Sequence, residues 1–290
     1  MNDKCIPVER FNSPETVVNQ NIYKISELYD IRGVERVSRP HRLHFSALIY
    51  VTDGEGIHHV DHKRYVVRKG TLLTLGKNQI HSFTKERTIE GYVLPFNCTI
   101  LSNSKKDPYF DVMITALAHI NCIPNIEPAS VSLLDALIHQ LHSTSAFKAE
   151  IVRNLTRAVM LTTIVPHFQM QVEHPYQTTT PEFHRLKQYI EQHFQDRPSV
   201  ADIALALGKS IKQVDKLAKD NSGDSVKELI DERVLLEAKR LLAFSQHSIS
   251  DISSQLGFNE ATNMTKFFKR HTEISPKDFR QLCRMGLHQK

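Results

Sequence analysis

Val200-Ala201-Asp202-Ile203-Ala204, followed by Leu207-Gly208, returns 49 residues later as Ile249-Ser250-Asp251-Ile252-Ser253, followed by Leu256-Gly257. One residue is then inserted and the offset becomes 50: Val214 matches Met264, Lys216 matches Lys266, Leu217 matches Phe267 and Ser225 matches Ser275. Each copy has the parts of a helix-turn-helix. A polar lead-in starts a short helix. The small Ala204 or Ser253 lets a second helix approach closely. Gly208 or Gly257 ends the first helix, because glycine accepts the left-handed backbone that a helix terminus needs. The second helix is anchored by Val214 and Leu217 in one copy, and by Met264, Phe267 and Phe268 in the other.

The opposite face of that second helix carries the chemistry. The first copy presents Lys209, Lys212, Gln213, Lys216 and Lys219, and the second Asn259, Thr262, Asn263, Lys266, Lys269 and Arg270. Lysine can donate to guanine, Asn and Gln can pair with adenine, and Thr can touch a thymine methyl. Lys and Arg near the helix ends can hold phosphates. Asp215 and Glu260 interrupt the pattern; an acidic side chain there accepts from cytosine or faces solvent. A single cationic helix face is often only a solvated one. Two at matched spacing, each after a helix and a glycine turn, point to duplex DNA. Asp224 to Phe244 reads as a linker helix, with Leu229, Ile230, Val234, Leu235, Ala238, Leu241 and Leu242 on its apolar side. Such a spacer lets two recognition helices enter successive major grooves, about 34 Å apart along the duplex.

Upstream the pattern changes. Residues 1–40 read as polar and irregular. Short apolar runs then follow at His44–Val51, Ile57–Val60, Arg64–Val67, Thr71–Leu75, Ile80–Phe83 and Glu90–Leu94, with a turn signal at Asp53-Gly54-Glu55-Gly56. Many short strands with glycine-bearing turns predict a small barrel or sandwich. Helical stripes follow over 107–120, 130–141 and 148 to about 170, with Pro166 expected to bend or end the third. The proline-bounded segment 174–181 reads as a linker. The expected fold is therefore α+β: a barrel with flanking helices over 1–173, the linker 174–181, and an all-α domain over 182–290.

Bulk composition decides less. The net charge is +5, and residues 182–290 hold 18 Lys and Arg against 15 Asp and Glu, so charge placement rather than total charge speaks for nucleic acid. No stretch approaches the roughly 18 consecutive apolar residues of a membrane span, and the first residues do not have the shape of a signal peptide. A cytoplasmic chain without a membrane partner is expected. Its four scattered cysteines form no CxxC pair and are expected to be reduced thiols.

The C-terminal region resembles the AraC/XylS family of bacterial transcription regulators. The stretch that carries the resemblance runs from Arg233 to Arg280: Arg233-Val234-Leu235-Leu236-Glu237-Ala238-Lys239-Arg240-Leu241-Leu242, Ile249-Ser250-Asp251-Ile252, Leu256-Gly257-Phe258, Lys266-Phe267-Phe268-Lys269-Arg270 and Ser275-Pro276-Lys277-Asp278-Phe279-Arg280. The resemblance implies seven helices with two DNA-reading units. It places base contacts on Lys212, Asp215 and Lys216, and on Ala261, Thr262, Asn263 and Lys266. Family members commonly have Arg where Lys216 and Lys266 stand, Phe where Ala218 stands, an aromatic where Met264 stands and Gly where Glu273 stands. Gly223 is kept in the first unit.

The N-terminal region resembles the cupin-like effector domain of the same family. Arg39-Pro40-His41-Arg42-Leu43-His44, Gly54-Glu55-Gly56, Tyr65-Val66-Val67-Arg68-Lys69-Gly70 and His81-Ser82-Phe83 carry this resemblance. It implies a small-molecule effector in the barrel and a homodimer formed by nearby helices, expected here through the apolar faces of 107–170. It also implies action on RNA polymerase as an activator. Pocket residues are expected at His41, His44, Tyr50, His58, His81, Phe83 and Tyr92. Adjacent His58 and His59 would point to opposite faces of a strand. No catalytic motif (GxSxG, P-loop or HExxH) is present, and no cofactor, metal site or enzymatic activity is expected. Two rival readings remain: a metal-dependent cupin enzyme with a helical tail, in which His41, His44 and His81 would be ligands, and a partner-binding module that has lost DNA binding.

Overall fold

A computed structural model of the chain describes residues 5–9, 22–61, 63–102, 107, 109–140, 143–170 and 180–285. They fall into two compact units, one within Pro7–Tyr176 and one within Gln177–Lys290 together with the start of the chain. Residues 174–179 of the expected linker lie outside the described residues.

The first unit begins with strands β1 (Val8–Glu9) and β2 (Tyr23–Lys24) and helices α1 (Ile25–Arg32) and α2 (Val34–Ser38). The first 40 residues are therefore not wholly irregular. Their helices are short, and neither carries a long apolar stripe that would announce it. Strands β3 (His41–Leu43), β4 (Ser46–Val60), β5 (Lys63–Arg68), β6 (Leu72–Leu75), β7 (Ile80–Ser82) and β8 (Ile89–Phe96) follow, and β9 (Cys122–Ile123) comes later. One sheet runs β1-β3-β7-β4-β5 and the other β2-β8-β4-β6-β9, so β4 belongs to both.

The turn expected at Asp53–Gly56 is a bend within β4. The register against β8 slips between Val51 and Asp53, and pairing with β5 takes over at Glu55. Gly54 adopts φ +82, and a Cβ there would stand 1.9 Å from the Thr88 carbonyl oxygen. Glycine is needed here to let β4 fold from one sheet into the other. A glycine-rich stretch reads the same whether it reverses a chain or bends a strand.

Side chains alternate along β4 as a strand requires. Ala47, Ile49 and Val51 point into the barrel with Leu43, Leu73, Leu75 and Phe83. Leu48 and Tyr50 point outward with Leu72 and Leu94, against helices α3 (Phe110–His119), α4 (Pro128–His139), α5 (Lys148–Val159) and α6 (Val165–Gln169). The turn Met160–Ile164 between α5 and α6 is π-helical. Pro166 has no N–H to return to Thr162 and its ring crowds that carbonyl; the widened turn carries the helix past it.

The second unit comprises α7 (Pro181–His193), α8 (Val200–Ala206), α9 (Ile211–Ser222), α10 (Val226–Phe244), α11 (Ile249–Gln255), α12 (Ala261–Thr272) and α13 (Pro276–Arg284) around a single apolar core. Serine N-caps set most of these starts. Ser199, Ser210, Ser225 and Ser248 each form a reciprocal capping box with the residue three positions on: Asp202, Gln213, Glu228 and Asp251. Arg233 of α10 pairs with Glu191 of α7 at 2.5 and 3.0 Å and lies 3.9 Å over the Phe194 ring, fixing the linker helix to α7.

Candidate functional site

Units α8–α9 and α11–α12 repeat each other down to single hydrogen bonds. Lys209 N–H donates to the Ala204 carbonyl at 2.9 Å, and Phe258 N–H to the Ser253 carbonyl at 3.0 Å. Ala204 and Ser253 are both buried, which permits the close helix crossing. Val214 and Ala218 hold α9 to the core as Met264 and Phe268 hold α12.

The outer faces follow. On α9, Lys212, Gln213, Lys216 and Lys219 are exposed. Asp215 is only half-exposed: its Oδ1 accepts from the Val226 backbone N–H at 3.1 Å, and Lys219 Nζ lies 4.0 Å from its other oxygen. The Gln213 side chain accepts from Ser210, so its amide N–H groups are what it can offer outward. On the second unit Asn259, Thr262, Asn263, Lys266, Lys269 and Arg270 are exposed and Ala261 is half-exposed. Thr262 donates to Glu260 at 2.9 Å. Asn259, Asn263, Lys266 and Arg270 share a groove of about 490 Å3 with Arg197 and Lys227, two cations to which the sequence assigned no DNA-binding role.

The barrel holds a second constellation. His81 Nδ1 lies 3.2 Å from His58 Nε2, the His41 and His81 rings stand 4.3 Å apart, and Phe83 packs edge-on to His58 at 4.6 Å. Burial, with smaller contributions from His59 and His41, pushes the His58 imidazole down to about 3. Burial holds His81 well below the ordinary histidine range. Both are neutral donors and acceptors near pH 7. His41, His81 and Phe83 line a cavity of about 50 Å3 with Phe45, Arg32 and Arg36. The structure does not bring all the expected pocket residues together. His44 is exposed, while Tyr50 and Tyr92 pair across β4 and β8 and face the helix layer. Strand alternation explains this, since Tyr50 lies one residue out of phase with Ile49 and Val51. Arg32 and Arg36 come from the segment read as irregular, so their pocket role had no sequence signal. Among the described residues no three His, Cys, Asp or Glu side chains are grouped to hold a metal ion.

Residues 184–282 match the family model described as a helix-turn-helix domain, and residues 25–158 the model described as an AraC-like ligand binding domain. The chain belongs to the AraC family. It is a DNA-binding transcription regulator with an N-terminal ligand-binding domain, not an enzyme. It is similar to the uncharacterized HTH-type transcriptional regulator YfiF of Bacillus subtilis, with 21% identity over 83% of this chain and 78% of YfiF. It is also similar to the HTH-type transcriptional activator RhaS of Salmonella schwarzengrund, with 26% identity over 33% of this chain. That match spans only 35% of RhaS. Among solved structures, ToxT from Vibrio cholerae aligns over 90% of this chain and 97% of its own, with 14% identity and a TM-score of 0.39. No described helix is long and apolar enough to cross a membrane.

Proposed function

We propose that the chain is a cytoplasmic, effector-responsive transcription activator that reads its operator with α9 and α12. The division into a sensing and dimerising domain (1–173), a linker (174–181) and a DNA-reading domain (182–290) is part of this reading. The observation that carries it is the pair of matched, exposed cationic and amide faces on two helices locked to one linker helix. Lys212, Gln213, Lys216 and Lys219 serve the first half-site. Asn259, Ala261, Thr262, Asn263, Lys266, Lys269 and Arg270 serve the second. Asp215 is proposed to work from the inner flank, where it also caps α10.

The effector enters the barrel cavity. Its described walls carry two arginines, His41, the neutral His81 and apolar side chains but no carboxylate, which suits a small apolar molecule with an anionic or acceptor end. A differential affinity of this molecule for two arrangements of the chain would shift DNA affinity, and contact with RNA polymerase would then raise transcription. The apolar stripes of α3–α6 are turned to the sheet and are not free to form the expected dimer, so a homodimer would instead use what that layer leaves exposed, such as Phe147 and Tyr109.

Lys266→Ala tests the assignment. In a gel-shift titration against a duplex selected in vitro with the full chain, operator affinity is expected to fall by about 1–3 kcal/mol, roughly 5- to 150-fold. Unchanged affinity would remove Lys266 from base reading.

A further inference from the structure

The groove beside α12 is built around a residue from another part of the second unit. Arg197 leads into α8 from a left-handed conformation, φ 53. Its guanidinium lies 4.3 Å from the Phe258 ring centroid and 5.1 Å from that of Phe267. Gly257 makes this possible: a Cβ there would stand 2.1 Å from the Gln195 carbonyl oxygen and 2.9 Å from Arg197 Cγ. The chain entering the first helix-turn-helix therefore rests directly on the turn of the second.

The charges in this groove do not balance. Arg197 Nη2 lies 3.8 Å and Arg270 Nη2 3.6 Å from the two oxygens of Asp231, beyond ordinary hydrogen-bond reach. Arg197 Nη1 is buried and has no hydrogen-bond partner among the described residues. Lys227 and Lys266 make no ion pair with any described residue. Four cations thus line the groove against one carboxylate. A buried guanidinium nitrogen with unused donors is costly unless something fills it, and the planar guanidinium fork matches phosphate oxygens.

We propose that this groove seats a backbone phosphodiester of the bound duplex, in the stretch between the two major grooves, with Arg197 and Lys227 as its donors. The proposal rests on the reading of the chain as a duplex-binding protein. A phosphodiester fits better than a free phosphate. It arrives with the duplex that the flanking helices read, whereas a free phosphate would be held by charge alone. The groove also shares Asn263 and Lys266 with the exposed face of α12, so an occupant lies alongside the base-reading residues.

Full-length wild type, Lys227→Ala and Arg197→Gln are titrated with the selected duplex over a range of salt. Lys227 is exposed, so its variant leaves the core intact. Each variant is expected to bind all sequences more weakly and to lower the salt slope by about 1. The wild-type advantage then narrows about three-fold between roughly 50 and 200 mM salt. Methylphosphonate replacement of single phosphates is expected to weaken wild type at a position between the half-sites and to leave Lys227→Ala unaffected there. Wild-type salt slopes in both variants would overturn the proposal. So would saturable binding of inorganic phosphate, lost in both variants, with DNA binding untouched. A wild type without salt-dependent duplex affinity would instead overturn the DNA-binding reading itself.

Discussion

Asp215 has a structural task beside the base contact proposed for it. Its place on α9 corresponds to a family base-contact position, yet its carboxylate accepts the Val226 N–H at the start of α10. That donor has no partner within its own helix, so the acidic residue amid lysines has a structural reason that sequence spacing does not display. The same holds for His58 and His81 in the barrel. Both titrate below the ordinary value near 6.5 because burial disfavours their charged forms. When a folded pKa is depressed, the unfolded chain takes up the proton first as pH falls. Stability is therefore complete above about 6.5 and declines below it, for His58 down to about 3, by up to roughly 1.4 kcal/mol per pH unit for each group. The melting temperature is expected to fall between about pH 6.5 and 5, and to fall less steeply in His58→Gln. Parallel melting curves for the two proteins would show that His58 does not contribute.

The two units also differ where their recognition helices end. Gly223 closes α9 with φ +82, and Glu273 closes α12 with φ +65. A side chain in the left-handed region costs about 1–2 kcal/mol, and glycine avoids most of it. Glu273→Gly is expected to raise stability by up to about 1 kcal/mol in urea denaturation without changing m; equal or lower stability would show the site is not strained. This asymmetry was legible from the sequence through the family resemblance, and the helical order from α8 to α12 through the repeat, 3.6-residue periodicity and glycine stops; α7 and α13 came only with the seven helices that the resemblance implies. The barrel was legible only in outline. Its strands alternate correctly, but the sequence does not mark whether the glycines at 54 and 56 reverse or bend β4. Nor does it mark the direction in which Tyr50 points, or that α1 and α2 bring Arg32 and Arg36 to the cavity. Arg197 and Lys227 had no DNA-binding role assigned for a related reason. They belong to no recognition helix, and only the close packing at Gly257 brings Arg197 to α12.

For the molecule as a whole, the proposed function depends on the geometry between two similar units more than on either alone. The first reader has Ala218 in its core where the second has Phe268, and it presents fewer amide groups. It is held to the second by α10, by the Arg233–Glu191 pair to α7 and by Arg197 lying on Phe258. A rigid pair of readers should demand a fixed phase between its two half-sites. The decisive measurement is the affinity of the full chain for its selected duplex before and after insertion of half a helical turn, about 5 bp, between the half-sites. Affinity is expected to drop to that for a duplex with one half-site scrambled. Undiminished affinity for the inserted duplex, or no preference for the selected duplex over heparin, would contradict paired reading of successive major grooves.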